Sequence, residues 1–283
     1  MEQSDLRLKK IKHQEKLSAL ALSNKKHSTS NKKQLTTKIN LMKNTLKQSL
    51  VIAALAFSTL NFAQTTTTTP AKTTAIGTSK TWGTIDGISM VGLVQGPSSA
   101  DAQLQVACVF EYTEGDIFNA QALPAKLNGL VHLDEALKGE LTNIRKAGQF
   151  QGHSLETLLI TPPAGSMSAK KLLLIGLGDR NKFTPDLMTS VGEVAAREAM
   201  RLGVTNFAFA SDLKDAGIDS PTALIAGNVV RGIVHANRSE NYLKEHKLST
   251  TKKLEKVYLL AGPAFFETAG GGIADAISEA QKK

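Results

Sequence analysis

Residues whose types and spacing could carry chemistry are few in this sequence. A strand-like apolar run ends in Gly176-Leu177-Gly178, which begins like the glycine fingerprint of a dinucleotide site. Asn181 occupies the place of the third glycine, and residues 179–184 have the composition of a loop instead of a helix start. We therefore interpret these glycines as a tight turn after a strand, because glycine tolerates a positive φ angle.

Metal ligands and nucleophiles do not form a recognisable set either. Protein metal ligands usually cluster at the spacing of a helix or a turn, whereas the histidines here are scattered and no His-Glu-x-x-His string occurs. The pattern Gly-x-Ser-x-Gly is absent, and the single cysteine, Cys108, lies in an apolar run that is typical of a small buried side chain. We assign no catalytic, metal-binding or cofactor-binding residue and expect no cofactor. The histidines considered are His132, His153, His235 and His246.

Three consecutive glycines, Gly270, Gly271 and Gly272, come before the last helical pattern. Free N–H groups at a helix start can hold an anion, which is one interpretation of the run. A hinge or linker is the interpretation that we favour. The last helix is then expected over residues 273–281.

Strand and helix patterns alternate from residue 83 onward. Leu133, Leu137, Leu141 and Ile144 share one helical face, which predicts a single helix over residues 133–147. The apolar run 171–178 predicts a central strand covered on both faces. The alternation predicts an α/β fold, with three α/β/α layers and a mostly parallel or mixed sheet. Further strands are predicted at 85–94, 104–112, 155–161, 204–210 and 257–261, and further helices at 184–202 and 220–247.

The basic charge of the protein is confined to its first residues. Residues 1–47 contain twelve Lys and Arg and three acidic residues, which accounts for the net charge of +9 of the whole chain. From residue 64 onward, 22 basic residues face 22 acidic ones. Because the body is neutral, we expect no nucleic-acid partner.

The segment 42–63 has the layout of a secretory signal peptide. A basic opening at Met42 is followed by an apolar centre at 50–57 and a more polar exit that ends near Ala63. A transmembrane helix needs about 20 apolar residues, so we expect the membrane to be contacted only through this segment and the protein to be exported, to the periplasm or the extracellular space. Residues 1–41 are interpreted as a disordered or mis-assigned upstream extension. Residues 64–82 are interpreted as a flexible Thr-rich linker, and 83–283 as the folded domain.

Three segments in order, LDEALKGEL at 133–141, GQFQGH at 148–153 and LLLIGLG at 172–178, resemble the N-terminal domain of the M17 leucyl aminopeptidase family. His153 stands where the family often has lysine. The resemblance extends over about 83–280 and implies a macro-domain-like α/β/α domain, which in the full enzymes shapes assembly and access. The family's separate catalytic domain, with two metal ions, carries an NTDAEGR motif that does not occur in this sequence, so no catalytic residue is carried over.

Three functions are compatible with this sequence. The first is an exported, non-catalytic interaction or assembly module that binds a protein partner or forms a homo-oligomer. The second is a truncated or split metalloaminopeptidase whose catalytic half is encoded separately. The third is binding of a nucleotide or an ADP-ribose-type ligand, which rests on fold analogy alone. A flat exposed apolar patch would favour the first function, and a concave pocket would favour the third.

Overall fold

Seven strands form one sheet at the centre of the domain: β1 (Ser79–Ile85), β2 (Ile88–Leu93), β3 (Leu104–Val109), β4 (Thr157–Ile160), β5 (Leu172–Gly176), β6 (Asn206–Ala210) and β7 (Lys256–Leu260). Their order is β1-β2-β7-β6-β3-β5-β4. The five inner strands are parallel, and the edge strands β1 and β4 are antiparallel to their neighbours. The computed structural model describes residues 73–282, so the predicted signal segment, the upstream extension and the first part of the linker lie outside the described residues.

Five helices cover the two faces of this sheet: α1 (Gly129–Ala136), α2 (Glu140–Lys146), α3 (Leu187–Arg201), α4 (Thr222–Glu245) and α5 (Phe266–Ala280). Helices α3, α4 and α5 share an apolar core with one face, and α1 and α2 share a second core with the other. The predicted three-layer α/β/α architecture with a mixed sheet is therefore confirmed. Within residues 73–282, no helix is both long enough and apolar enough to cross a bilayer.

Strand β5 carries the uninterrupted apolar run that predicted a strand covered on both sides. Leu173 and Ile175 pack into the core formed with α3 and α4, whereas Leu172 and Leu174 pack on the opposite face with α1 and α2. All four side chains are at most 1% exposed. The prediction is confirmed, because successive side chains of a strand alternate between its faces.

The predicted single helix over residues 133–147 is wrong. The chain forms α1 and α2 instead, separated by a turn in which Lys138 and Gly139 have positive φ angles of 57° and 85°. Residues in the left-handed region end a right-handed helix. The apolar spacing did not reveal the break, because the stripe residues on both sides of it still share one core: Leu133, Leu137 and Leu141.

The predicted hinge at the three glycines is also wrong, because all three lie inside α5, which begins at Phe266. A Cβ atom at Gly270 would overlap the ring of Trp82 in β1, and one at Gly272 would overlap the backbone of Ala223 in α4. Glycine costs a helix about 1 kcal/mol relative to alanine. Here it allows α5 to approach the sheet and α4 closely.

A hairpin at the edge of the sheet was not anticipated. Asp86 and Gly87 join β1 to β2 and have φ angles of 49° and 82°. Two successive positive φ angles are the requirement of a two-residue type I′ turn, for which Asp-Gly is a preferred sequence. Because β1 begins at Ser79, residues 79–82 belong to the sheet, although the sequence analysis assigned them to the linker.

Candidate functional site

A cavity of about 320 Å³ opens at the carboxyl ends of β2, β6 and β7. The loops after these strands and the first turns of α1 and α4 line it. The chain leaves β3 towards α1 on one face and leaves β6 towards α4 on the other, so the two connections diverge at this edge. Ligands of open α/β sheets bind in crevices of this kind. The cavity is therefore the candidate site.

Two aspartates that follow β6 lie side by side in the wall of the cavity. Asp212 Oδ2 accepts a hydrogen bond from the Cys108 N–H at 2.9 Å, and Asp215 Oδ2 accepts one from the Gly129 N–H at 3.0 Å. Burial, together with the neighbouring charge of Asp215, raises the pKa of Asp212 well above its ordinary value. Burial also raises the pKa of Asp215. The pair therefore keeps a proton at pH values at which exposed aspartates are ionised.

Positive charge near this acid pair is sparse. His132 in α1 lines the cavity, and its charge opposes the rise of the Asp215 pKa that burial causes. Lys214 also lines it, but its Nζ lies 2.7 Å from Asp219 Oδ1. Among residues 73–282, no lysine or arginine forms an ion pair with either aspartate. The two carboxyl groups consequently depend on backbone N–H groups and on each other.

The two helices that begin at the cavity are capped differently. At the start of α1, the Asn128 side chain accepts a hydrogen bond from the Val131 N–H at 3.1 Å, and Asp215 accepts from Gly129. These side chains satisfy N–H groups that have no partner inside the helix. Helix α4 follows Pro221 and has no side-chain cap. The anion-binding capacity of the α1 terminus is thus already used by the protein itself.

Apolar side chains form much of the remaining wall. Ile225, Val229 and Leu259 line the cavity and are buried. At its mouth, Ile76 and Leu127 are 75% and 64% exposed, although both are large apolar residues. An enclosed apolar wall with a few polar groups is the usual composition of a small-molecule site.

Gly176 and Gly178, the two glycines of the incomplete dinucleotide fingerprint, lie away from this cavity, at the end of β5. A Cβ atom at Gly176 would overlap the backbone of residues 152–153, and Gly178 has a φ angle of 74°. The positive φ angle is confirmed at Gly178, but its N–H donates to the Gly152 carbonyl and its carbonyl accepts from the Glu111 N–H, so no tight turn forms here. Cys108 is 1% exposed, as expected, and burial raises the pKa of its thiol. Its backbone, not its sulfur, serves the site, by donating to Asp212.

The histidines do not come together. His153 Nδ1 lies 2.9 Å from Glu111 Oε1, and this hydrogen bond raises the pKa of His153. His235 pairs with a glutamate of α3, and His246 stacks on a tyrosine at the end of α4. Of the four, His132 alone lines the cavity. In the part of the chain that the structure describes, no group of three or more His, Cys, Asp or Glu is placed to hold a metal ion.

Sequence reasoning missed the residues that matter most in this cavity, Asp212 and Asp215. They lie in a short polar stretch, SDLKDAG, directly after the strand predicted at 204–210. The available signal was positional, since polar residues after parallel strands meet at one edge of the sheet. Their burial could not be read from the sequence, because acidic residues in a loop are usually exposed.

Residues 111–247 match the profile of the cytosol aminopeptidase family, N-terminal domain. This part of the chain is an M17 N-terminal domain. The match extends from the end of β3 to the end of α4 and includes both aspartates of the cavity. Strands β1, β2, β3 and β7 and helix α5 lie outside the matched residues, and these strands complete the sheet.

Curated relatives of the M17 domain carry the same description. The probable cytosol aminopeptidase of Roseiflexus castenholzii is 29% identical over 141 residues, which are 50% of this chain and 28% of that protein. The probable cytosol aminopeptidase of Geotalea uraniireducens is 31% identical over 96 residues, which are 34% of this chain and 19% of that protein. The chain therefore spans less than a third of the length of these relatives.

Solved structures with a similar chain course include enzymes and binding domains. A tomato leucine aminopeptidase variant matches 66% of this chain and 35% of its own, with 24% identity and a TM-score of 0.43. An Oceanobacillus iheyensis macrodomain matches 72% of this chain and 98% of its own, with 12% identity and a TM-score of 0.45. Both scores are below 0.5, so the fold assignment rests on the sheet order and the two cores described above.

Proposed function

We propose that this chain acts, after export, as a non-catalytic interaction or assembly module. The observation that carries the proposal is the match of residues 111–247 to the domain that precedes the catalytic part in aminopeptidases. The NTDAEGR string of that catalytic part does not occur in the sequence. Its cavity offers an acid pair, apolar walls and no metal cluster among the described residues, which is a composition for binding instead of metal-assisted hydrolysis.

An exposed apolar surface at the end of α4 supports an interaction role. Tyr242 is 58% exposed and stacks on His246, with 4.1 Å between the ring centroids. Leu243 and Leu248 are 37% and 71% exposed, and the Leu248 N–H donates to the Leu243 carbonyl at 2.7 Å, which keeps the two residues adjacent. Grouped apolar side chains on a surface are typical of contact regions. We refer to these four residues as the α4 end patch.

The absence of peptidase activity is the first test. The purified full chain should release no p-nitroaniline from leucine p-nitroanilide, with or without Mn²⁺ or Zn²⁺, because residues 73–282 contain no side-chain group placed to hold a water-activating metal ion. Metal-dependent release that persists after removal of contaminating peptidases would contradict the proposal.

Association through the α4 end patch is the second test. Sedimentation of the full chain alone should show self-association, and replacement of Leu248 by Ser should weaken it. Replacement of Leu155 by Ser is the matched control, because Leu155 is also exposed, at 36%, but lies beside β4. Equal effects of the two replacements would contradict the assembly role. A chain that sediments as a monomer and also binds no other exported protein of its own cells would contradict it as well.

Export is tested by N-terminal sequencing of the native protein. Cleavage after the apolar centre predicts a mature chain that begins near Gln64, with Met42 as the functional start. Peptides from residues 2–40 in the mature protein would exclude this.

A split aminopeptidase is the second candidate function, and the length of the relatives favours it. Their matched segments are 28% and 19% of proteins called probable cytosol aminopeptidases. A neighbouring reading frame that begins with the catalytic motifs would support this candidate. Leucine p-nitroanilide cleavage that appears only when both chains are mixed would establish it.

Binding of a nucleotide or an ADP-ribose-type ligand is the third candidate, and the position of the cavity is the observation that favours it. Calorimetric titration of the full chain with ADP-ribose tests it directly. Heat at micromolar ligand that disappears when the cavity wall is altered, as in Ile225→Trp, would support nucleotide binding.

A further inference from the structure

The cavity at the carboxyl ends of β2, β6 and β7 has a charge pattern that selects among ligands. Its volume of about 320 Å³ is at the lower end of the range for small-molecule sites. A ligand of metabolite size would fill it, whereas a polymer would have only one end inside. The chemistry of that ligand is determined by the polar groups that the wall presents.

Those polar groups include donors, such as Lys126 and several hydroxyl groups, and the acceptor oxygens of two aspartates. Asp212 is 7% exposed, lines the cavity and has its Oδ2 engaged by one backbone N–H. Asp215 is arranged in the same way against α1. Two carboxyl groups offer about eight lone-pair sites, of which the backbone N–H groups of Cys108, Gly129 and Leu130 and one shared proton use only a part. The acid pair therefore lacks donors, and a ligand that brings donors would supply them.

The charged groups that face the pair do not neutralise it. The Cys108 thiol on β3 is buried and adds no positive charge. On α1, His132 lowers the pKa of Asp215 by its charge, against the larger effect of burial. Lys214 is held by Asp219, and Lys126 lies exposed at the rim. Among the described residues, no lysine or arginine forms an ion pair with either aspartate, so an ammonium group beside the pair would meet two carboxyl acceptors.

An anionic ligand beside the acid pair, at the start of α1, meets the opposite situation. The N–H groups at the start of α1, which could hold a phosphate, are already occupied by Asn128 and Asp215. A phosphate placed there would also lie against the two carboxyl groups. Like charges at short range in a partly desolvated site are unfavourable.

We propose that this cavity binds a small primary ammonium compound with an apolar body. The ammonium group lies between Asp212 and Asp215 and donates its three N–H bonds to their oxygens. The body lies against Ile225 and Leu259 and extends to Leu127 at the mouth. Binding replaces the proton of the acid pair by the ligand's positive charge. The proposal is independent of the association role of the chain, since the α4 end patch is a different surface.

Phenethylamine and phenethyl alcohol are matched probes for this proposal, because they differ only in the terminal group. Calorimetric or ligand-observed NMR titration of the full chain should show phenethylamine binding at least tenfold more tightly than the alcohol. Equal affinities would overturn the proposal, because the apolar wall alone would then account for binding. No binding of the amine at millimolar concentration would overturn it as well.

Replacing both acids tests the location. The double variant Asp212→Asn, Asp215→Asn should lose at least tenfold in phenethylamine affinity while its affinity for the alcohol is unchanged. Glu135→Gln, an exposed carboxylate of α1, is the matched control and should bind like the parent. An unchanged amine affinity in the double variant would overturn the assignment. If the double variant does not fold, the pH dependence of the unmodified chain decides.

The affinity of the unmodified chain for phenethylamine should rise from pH 5 to pH 8. The amine stays protonated over this range, whereas the acid pair must lose its proton to accept the ammonium. The charge of His132 also acts on Asp215, so His132→Gln is measured in parallel and should retain a rise. A flat pH profile in both proteins would overturn the proposal. Tight ADP-ribose binding without amine binding would overturn it in favour of a nucleotide site, and neither result depends on whether the chain self-associates.

Discussion

The domain buries acidic side chains in two places with opposite surroundings. Asp116, before α1, faces Arg145 of α2, which donates to both of its oxygens and also to the Phe110 carbonyl at 2.9 Å. Asp212, at the cavity, faces a second acid and finds no lysine or arginine partner among the described residues. Both are less than 10% exposed. The charge of Asp116 is balanced by a cation inside the fold, whereas Asp212 lies beside a second acid and the pair keeps a proton.

This difference separates a structural role from a functional one. A buried ion pair fixes how α2 packs on the sheet, and its loss affects stability. A buried acid pair works against stability, and perturbed acids in a cavity mark candidate binding sites. Three substitutions test the contrast, and they are ordered here from the largest expected effect to the smallest.

A buried acid with no partner at all is the limiting case. Leu173→Asp should lower the free energy of unfolding by about 5 kcal/mol, because it removes a packed side chain and places a carboxyl group in the core. Lys170→Asp, at an exposed position just before β5, should cost less than about 1 kcal/mol. Urea unfolding of both variants measures the difference. A Leu173→Asp midpoint near that of the parent would contradict the assignment of β5 as a strand covered on both faces.

Removal of the cation from the neutralised pair should have the next largest effect. Arg145→Met leaves Asp116 buried without its partner and should cost about 4 kcal/mol. Adding Asp116→Leu should restore most of this loss, because an apolar pair of similar volume needs no compensation. Urea midpoints of the single and double variants give the comparison. A double variant as unstable as the single one would show that the loss comes from packing and not from the stranded charge.

Replacing one acid of the cavity should have the smallest effect on the free energy of unfolding, and it should stabilise the protein instead of destabilising it. The pKa of Asp212 is raised in the folded state, so the folded protein holds more protons than the unfolded chain between the two pKa values. Stability therefore falls as the pH rises through this window. Asp212→Asn should remove part of this fall and stabilise the protein by about 1 kcal/mol at pH 8 relative to pH 4. If the free energy of unfolding depended on pH in the same way in parent and variant, this would contradict the link between the raised pKa of Asp212 and stability.

The sequence was a good guide wherever one signal decided the structure. The apolar run of β5 predicted its two covered faces, and the alternation of patterns predicted the layers, because burial follows directly from periodicity. The break between α1 and α2 was concealed because backbone angles at Lys138 and Gly139 changed while the apolar spacing continued. The Asp86-Gly87 hairpin carried a readable turn signal that was not used.

The candidate site was harder to predict than the fold. Asp212 and Asp215 come from one loop, but their burial depends on Cys108 of β3 and Gly129 of α1, which are distant in sequence. The local composition indicates an exposed polar turn. Only the tertiary arrangement places these residues in the wall of a cavity. Similarly, the sequence around Gly270 indicates a flexible segment, whereas in the structure the ring of Trp82 packs against this glycine.

The helical layer on one side of the sheet is joined through glycines. A Cβ atom on Gly192 of α3, Gly232 of α4 or Gly272 of α5 would overlap a backbone carbonyl oxygen of the neighbouring helix. Backbones in such close contact cannot slide past one another without separating, because small packed interfaces do not deform continuously. We therefore expect the three helices to move together as one rigid layer, in which α4 keeps a fixed position at its end of the cavity. The opposite rim of the cavity is formed by the loops after β2 and β7, which are not tied to this helical layer by glycine contacts of this kind.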